Sequence, residues 1–137
     1  FIHMGVDPYS FVSAMNGIMA QRLVRVSCPH CSADELPDAA LLMNSGISPE
    51  RAQGMNFRAG RGCGHCRGTG FKGRRAIGEI LYLNDEIREA IIARQPIRMI
   101  REAAARNGTR FLREIAVEMV GRGETTLQEI NRVTLVA

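Results

Sequence analysis

Two Cys-x-x-Cys pairs, Cys28-Pro29-His30-Cys31 and Cys63-Gly64-His65-Cys66, hold all four cysteines of this chain. Each pair can grip one metal ion from two sides of a tight turn. Four thiolates around one ion form the closed tetrahedral shell of structural zinc, so Cys28, Cys31, Cys63 and Cys66 are the expected zinc ligands. The pairs are separated by residues 32–62, a longer gap than zinc ribbons commonly use. The fold must therefore send that segment out and bring it back, stapled to the body of the protein.

A thiol oxidoreductase is the rival reading, because Cys-Pro-His-Cys and Cys-Gly-His-Cys both occur as redox sites in which the His lowers the first thiol's pKa. Such a site needs a strand before it and a helix starting at it. Here a helix is expected before the first pair, and glycines follow the second. Zinc is favoured on that ground, with redox-active or disulfide-bonded cysteines left as alternatives. His30 and His65 are expected as solvent-exposed knuckle residues rather than ligands.

The 137 residues suffice for one domain with a real core. Tryptophan is absent, and Ala, Ile, Leu and Met supply the apolar content, which favours helices packed on aliphatic side chains. No apolar run is long enough for a membrane span, and no signal peptide is visible. The chain starts on Phe1 rather than Met, so a piece of a longer protein is expected, with His3-Met4 allowing a cloning scar.

The net charge of +4 is unevenly spread. Arg58, Arg61, Arg67, Lys72, Arg74 and Arg75 lie within residues 58–75 with no acid among them. One reading is compensation of the net negative charge of a four-thiolate zinc site. The other is an anionic partner: nucleotide phosphate, nucleic acid or acidic lipid.

Along the chain, residues 8–25 are predicted as a helix opened by Pro8, with Phe11, Met15, Ile18, Met19, Leu23 and Val26 facing a core. Short helices are expected at Ala39 to Met43 and after Ser48-Pro49-Glu50, and a strand from Met55 to Ala59. Gly68, Gly70 and Gly73 exclude a stable helix after the second pair. Residues 76–83 read as a strand. Four helices should follow: one capped by Asn84, one opened by Pro96, one capped by Thr109, and a short one with Thr126 and Glu129 as a capping box.

Other motifs lead nowhere. One Cys-x-x-Cys-x-Gly-x-Gly unit matches the cysteine-rich domain of J-domain chaperones, which needs four. No Gly-x-x-x-x-Gly-Lys-Ser/Thr phosphate loop exists, and no acidic or Ser-His-Asp set stands out. No catalytic residue is assigned, and the chain is expected to be inactive alone.

The ordered series of motifs nevertheless resembles a known family. It runs Met4-Gly5-Val6-Asp7-Pro8-Tyr9-Ser10-Phe11, Ala20-Gln21-Arg22-Leu23-Val24-Arg25 and Cys28-Pro29-His30-Cys31. It continues through residues 63–74, Ile77-Gly78-Glu79-Ile80-Leu81, and residues 125–134. Together these resemble the C-terminal third of the assembly ATPases of type II secretion and type IV pili, the secretion branch being closer.

The resemblance implies an α+β, mostly α, fold: the C-terminal helical part of a RecA-like motor domain with an inserted tetracysteine zinc subdomain. It divides the chain into residues 1–27 (helical end of the ATPase core), 28–70 (zinc subdomain) and 71–137 (strand plus C-terminal helical subdomain). It implies a homo-hexamer in the full-length protein, using ATP and Mg, at the cytoplasmic face of the bacterial inner membrane. Partners would be inner-membrane platform proteins and, secondarily, acidic phospholipids; nucleic acid is disfavoured. Arg74 maps to an arginine near the nucleotide, a role suited to guanidinium; balancing the zinc charge is its alternative. Arg75-Ala76 departs from the family's usual small or polar residue and Gly before Ile77. The competing functions are a zinc-ribbon nucleic-acid module and a thiol oxidoreductase.

Overall fold

A computed structural model describes residues 2–136 of the chain. It is a mixed α+β structure. Its helices are α1 (Pro8–Ala14), α2 (Ala39–Asn44), α3 (Pro49–Gln53), α4 (Asp85–Ile92), α5 (Ile97–Arg106), α6 (Leu112–Gly121) and α7 (Leu127–Val133). Its strands are β1 (Gly17–Ser27), β2 (Ser32–Asp34), β3 (Arg58–Gly60) and β4 (Phe71–Tyr82), forming two two-stranded sheets, β1 with β4 and β2 with β3. The chain divides into two compact units: residues 1–20 with 78–111, and residues 21–77 with 112–137.

In the first unit, Asp7 caps α1 by accepting the Ser10 amide at 2.8 Å, and Pro8 pre-sets the first helical φ. The helix stops at Ala14, not near residue 25 as its spacing predicts. Asn16-Gly17 interrupts it, and from Gly17 the chain is extended, its backbone groups satisfied by pairing with β4. Several apolar residues predicted inward therefore lie outward: Ile18, Met19 and Leu23 are exposed, and Val12 and Val24 are buried instead. Val12, Leu83, Ile87, Ile91, Ala103 and Ala104 form this unit's core. Asn84 caps α4 as predicted, accepting the Ile87 amide at 3.0 Å. Arg88 clips the unit together by donating to the Leu83 and Met15 carbonyls at 2.8 and 3.0 Å. Thr109 does not cap the next helix. Its hydroxyl donates to the Ile80 carbonyl at 3.2 Å, and α6 begins only at Leu112.

The second unit holds all four cysteines. Val24, Ile47, Phe57, Ile77, Ala116, Val117, Met119, Val120, Leu127 and Ile130 make its core. Ile47 and Phe57 come from the long excursion, with Leu41, Leu42, Ala52 and Met55 packed around them. The excursion is thus anchored by its own apolar side chains as well as by the cysteines. Asp38 caps α2 and Ser48 caps α3, each accepting an amide from the first turn. Strand β4 starts at Phe71, earlier than predicted, because an extended chain tolerates Gly73 where a helix would not.

Thr126 caps α7 by accepting the Glu129 amide at 3.3 Å, but the predicted reciprocal bond is absent. The Glu129 carboxylate is fully buried and turned elsewhere: it accepts the Arg25 amide at 3.0 Å and Arg25 Nε and NH2 at 2.9 and 2.6 Å. Arg132 adds two bonds at 3.1 and 2.8 Å. Thr125 Oγ1 donates to the Arg25 carbonyl at 2.7 Å, and the Ser27 amide donates to the Glu124 carbonyl at 2.9 Å. These bonds tie the start of α7 to the end of β1, one residue short of Cys28.

Candidate metal centre

Both cysteine pairs form the same turn. The Cys31 amide donates to the Cys28 carbonyl at 3.2 Å, and the Cys66 amide to the Cys63 carbonyl at 3.3 Å. The second turn is a short 3-10 helix, Gly64–Cys66, reversed by Arg67 at φ 53 and Gly68 at φ 77. Antiparallel pairing of β2 with β3 brings the turns together, in the register Ser32 with Gly60, Ala33 with Ala59 and Asp34 with Arg58. The excursion thus leaves and re-enters beside itself, delivering Cys63 back to Cys28.

Cys28 Sγ lies 3.9 Å from Cys63 Sγ, Cys31 Sγ lies 3.8 Å from Cys66 Sγ, and Cys63 and Cys66 Sγ are 3.8 Å apart. All four sulfurs fall within 4.8 Å of one another. A metal–sulfur bond of about 2.3 Å requires tetrahedral edges of about 3.8 Å, and the three separations above match that length. The structure therefore brings together all four predicted ligands, and they can hold one metal ion.

Backbone amides point at three of the sulfurs, Cys63 accepting from Cys66 within the turn it opens. Cys31 accepts from Gly62 at 3.3 Å, and Cys66 accepts from Cys63 at 3.1 Å and Gly70 at 3.3 Å. Burial works against ionising Cys66, yet these amides and the neighbouring thiols hold its pKa down at about 6. Burial pushes Cys31 up to about 12, against the pull of the Gly62 amide. A cationic ion at the centre would favour all four thiolates.

Gly70 was legible only as a helix breaker, but Gly60 and Gly70 are spatial requirements. They cross so closely that a Cβ on either would overlap the carbonyl of the other. Gly70 also sends its amide to Cys66, and its carbonyl accepts the Cys28 amide at 2.8 Å. Gly60→Ala should therefore force the turns apart and weaken metal binding by about 10–100-fold, the usual cost of losing support around a ligand shell. Chelator competition reads this directly; unchanged affinity would show that the crossing does not hold the turns.

His30 and His65 are both exposed and stack across the two turns, ring centroids 3.9 Å apart at 17°. The basic stretch is only partly neutralised. Arg58 binds Asp34 at 2.5 Å, and Arg75 pairs with Glu124, whereas Arg61, Arg67, Lys72 and Arg74 are exposed and carry no ion pair among the described residues. Arg74 stands on β4 in solvent.

The redox reading loses one argument and keeps another. The first pair is preceded by strand β1, not by the predicted helix. No helix starts at Cys28, however: three-residue β2 follows, and the second pair sits in a single 3-10 turn. A helix N-terminus to stabilise a reactive thiolate is missing at both.

The sequence profile described as type II/IV secretion system protein matches residues 1–132, nearly the whole chain. The chain belongs to that family. Its segment resembles the type IV pilus assembly ATPase PilB of Thermus thermophilus, 43% identical over 127 residues, covering 93% of this chain and 14% of that relative. It also resembles two proteins of Pseudomonas aeruginosa. The type II secretion system protein HxcR is 38% identical over 133 residues, covering 97% of the chain and 24% of the relative. The type II secretion system protein E is 34% identical over 133 residues, covering 97% and 26%. The chain therefore spans at most about a quarter of the length of these secretion-family relatives. Among the described residues no helix is long and apolar enough to cross a membrane.

Proposed function

We propose that this chain is the C-terminal part of a cytoplasmic ATPase that powers type II protein secretion by driving pseudopilus assembly, and that its tetracysteine centre holds structural zinc. Tetrahedrally spaced thiols within a segment of the type II/IV secretion family carry this reading. Zinc suits a closed four-sulfur set, and a shell filled by protein ligands leaves no position for water or substrate, so zinc would supply rigidity rather than Lewis-acid chemistry. Cys28, Cys31, Cys63 and Cys66 would hold it.

In the full-length protein the chain would complete a RecA-like core that assembles as a hexamer with ATP and Mg at the inner membrane. Residues 28–70 would form the zinc subdomain, and the surface it braces would dock inner-membrane platform proteins. Exposed Leu36 and Met43 on the excursion support that role, and the exposed cations of residues 61–74 suit acidic phospholipids as a second contact. Arg74, exposed on β4, would meet nucleotide phosphate. Type IV pilus assembly is the second reading, favoured by the greater identity to PilB.

The test uses a full-length protein carrying this segment. It should hydrolyse ATP with Mg, while residues 1–137 alone should not. Arg74→Ala should lower kcat/KM by about tenfold or more, as expected for a lost charge-assisted phosphate contact. Wild-type turnover by Arg74→Ala would return Arg74 to a solvation role. Absence of any ATPase activity in the full-length protein would sink the motor reading.

A further inference from the structure

We infer that the first unit carries a docking site for an acidic amphipathic helix of a partner protein, built on the two sides of the first turn of α5. Every residue of the site belongs to that unit, so the reading does not depend on the metal centre.

The site follows from the way α4 hands over to α5. Arg94 ends α4 in the left-handed region, at φ 50, and the Gln95 amide closes back onto the Ala90 carbonyl at 3.0 Å. Pro96 then opens α5. Ile97, Ile100 and Ala104 fall on one stripe of that helix, at i, i+3 and i+7. The stripe is buried at Ala104, half-buried at Ile100 and 72% exposed at Ile97. The apolar surface that holds α5 to its core therefore runs on into solvent.

One exposed isoleucine is ordinary. This one is the wall between two hollows. A hollow of about 540 Å³ is lined by Phe11 and Ile91, another of about 200 Å³ by Leu81 and Phe111, and Ile97 and Ile100 line both. Arg94 lines the first. Arg101 lines the second, its guanidinium 4.5 Å from the Phe111 ring centroid. Arg98 stands between them in sequence and meets Glu102 only at 3.9 Å. Glu79 is the one acid among the described lining residues.

That combination selects the occupant. A bilayer surface is flat and does not enter a hollow. A single acyl chain needs one continuous channel, which Ile97 and Ile100 interrupt. A helix places side chains at i and i+3 or i+4 about 5–6 Å apart, a spacing that straddles a wall one side chain thick. The larger hollow suits an aromatic or Met anchor and the smaller one a Leu. Carboxylates flanking those anchors complement Arg94, Arg98 and Arg101.

The experiment uses the purified chain and a fluorescein-labelled peptide of about 18 residues, long enough to hold a helix. Leu and Phe occupy its i, i+3, i+4 and i+7 positions, and Glu flanks them. Anisotropy should show this peptide binding at least about tenfold tighter than a scrambled peptide of the same composition, or than its Lys-for-Glu counterpart. Ile97→Ser, at a side chain already mostly in solvent, should weaken binding at least about tenfold with an unchanged thermal midpoint. Arg94→Gly removes a cation while relieving the left-handed backbone, so it should hold or raise stability and still weaken binding about threefold or more. Met43→Ser, in the second unit, should leave binding unchanged. Equal binding of the scrambled or Lys peptide overturns the proposal, as does wild-type affinity in Ile97→Ser or loss of binding in Met43→Ser. Failure of the acidic peptide to bind also overturns it. In that case, co-sedimentation with anionic vesicles that Ile97→Ser abolishes assigns the surface to a membrane. Self-association that Ile97→Ser abolishes assigns it to a second copy of the chain.

Discussion

Cys28→Ser or Cys63→Ser will take the metal content from about one ion per chain to near zero, because a neutral hydroxyl does not replace a thiolate in a soft shell. The stability loss should be at least about 3–5 kcal/mol, since metal binding to such a site is folding free energy. The damage should be graded along the chain. The turns at residues 28–31 and 63–70 depend on one another through the sulfurs and the Gly60–Gly70 crossing, so they should open first. Ile47 and Phe57 are buried in the second unit's core independently of any ligand, so α2 and α3 should keep part of their protection. Elemental analysis with hydrogen exchange checks both statements. Full metal retention in either variant would remove the four-thiolate shell from consideration. Iron in place of zinc would keep the shell and change its occupant.

The second large effect centres on Glu129. Burial alone would raise its pKa, but hydrogen bonds from Arg132 and Arg25 outweigh it and hold the carboxyl at about 2 against an ordinary 4.5. Between those values the unfolded chain binds a proton that the folded chain refuses. The stabilisation is therefore complete above about pH 4.5 and lost as pH falls toward 2. The shift corresponds to at most about 3 kcal/mol, and solvent at the half-exposed Arg25 and Arg132 screens part of it. Glu129→Gln should cost about 2–4 kcal/mol at neutral pH and flatten the acid limb of stability between pH 4.5 and 2. Denaturant midpoints across that range test it; an unchanged acid limb would mean that another carboxylate carries the dependence. Arg25 lies three residues before Cys28, so Glu129→Gln should also loosen the first turn.

The parts of the molecule that were readable in the sequence are those decided within a few residues. A Cys-x-x-Cys turn, the Asn84 cap, the Thr126 cap and the Pro8, Pro49 and Pro96 helix starts all depend on local geometry, and each stands where its signal lies. The misread elements depended on a distant partner. The apolar spacing of residues 8–25 fits a helix, but β4, about 55 residues later in the chain, offers β1 its hydrogen bonds and wins. Thr109 has the chemistry of a cap and spends its hydroxyl on Ile80. Glu129 completes a capping-box pattern, and Arg25, 104 residues earlier, takes its carboxylate. Gly70 looked like a helix breaker alone, because nothing local shows that its backbone and that of Gly60 pass through one another's Cβ positions.

By itself the sequence determined the ligand set, four cysteines in two chelating turns, because chelation needs only residue type and short spacing. It also carried the family resemblance, because that lies in the order of motifs. Only the tertiary structure decided how the turns are joined: strand pairing of β2 with β3 and the Gly60–Gly70 crossing set the sulfur separations, and the Gly62 and Gly70 amides reach Cys31 and Cys66. Those are contacts between segments that chain order does not place together, and the free energy of packing them, rather than any local preference, chose the arrangement.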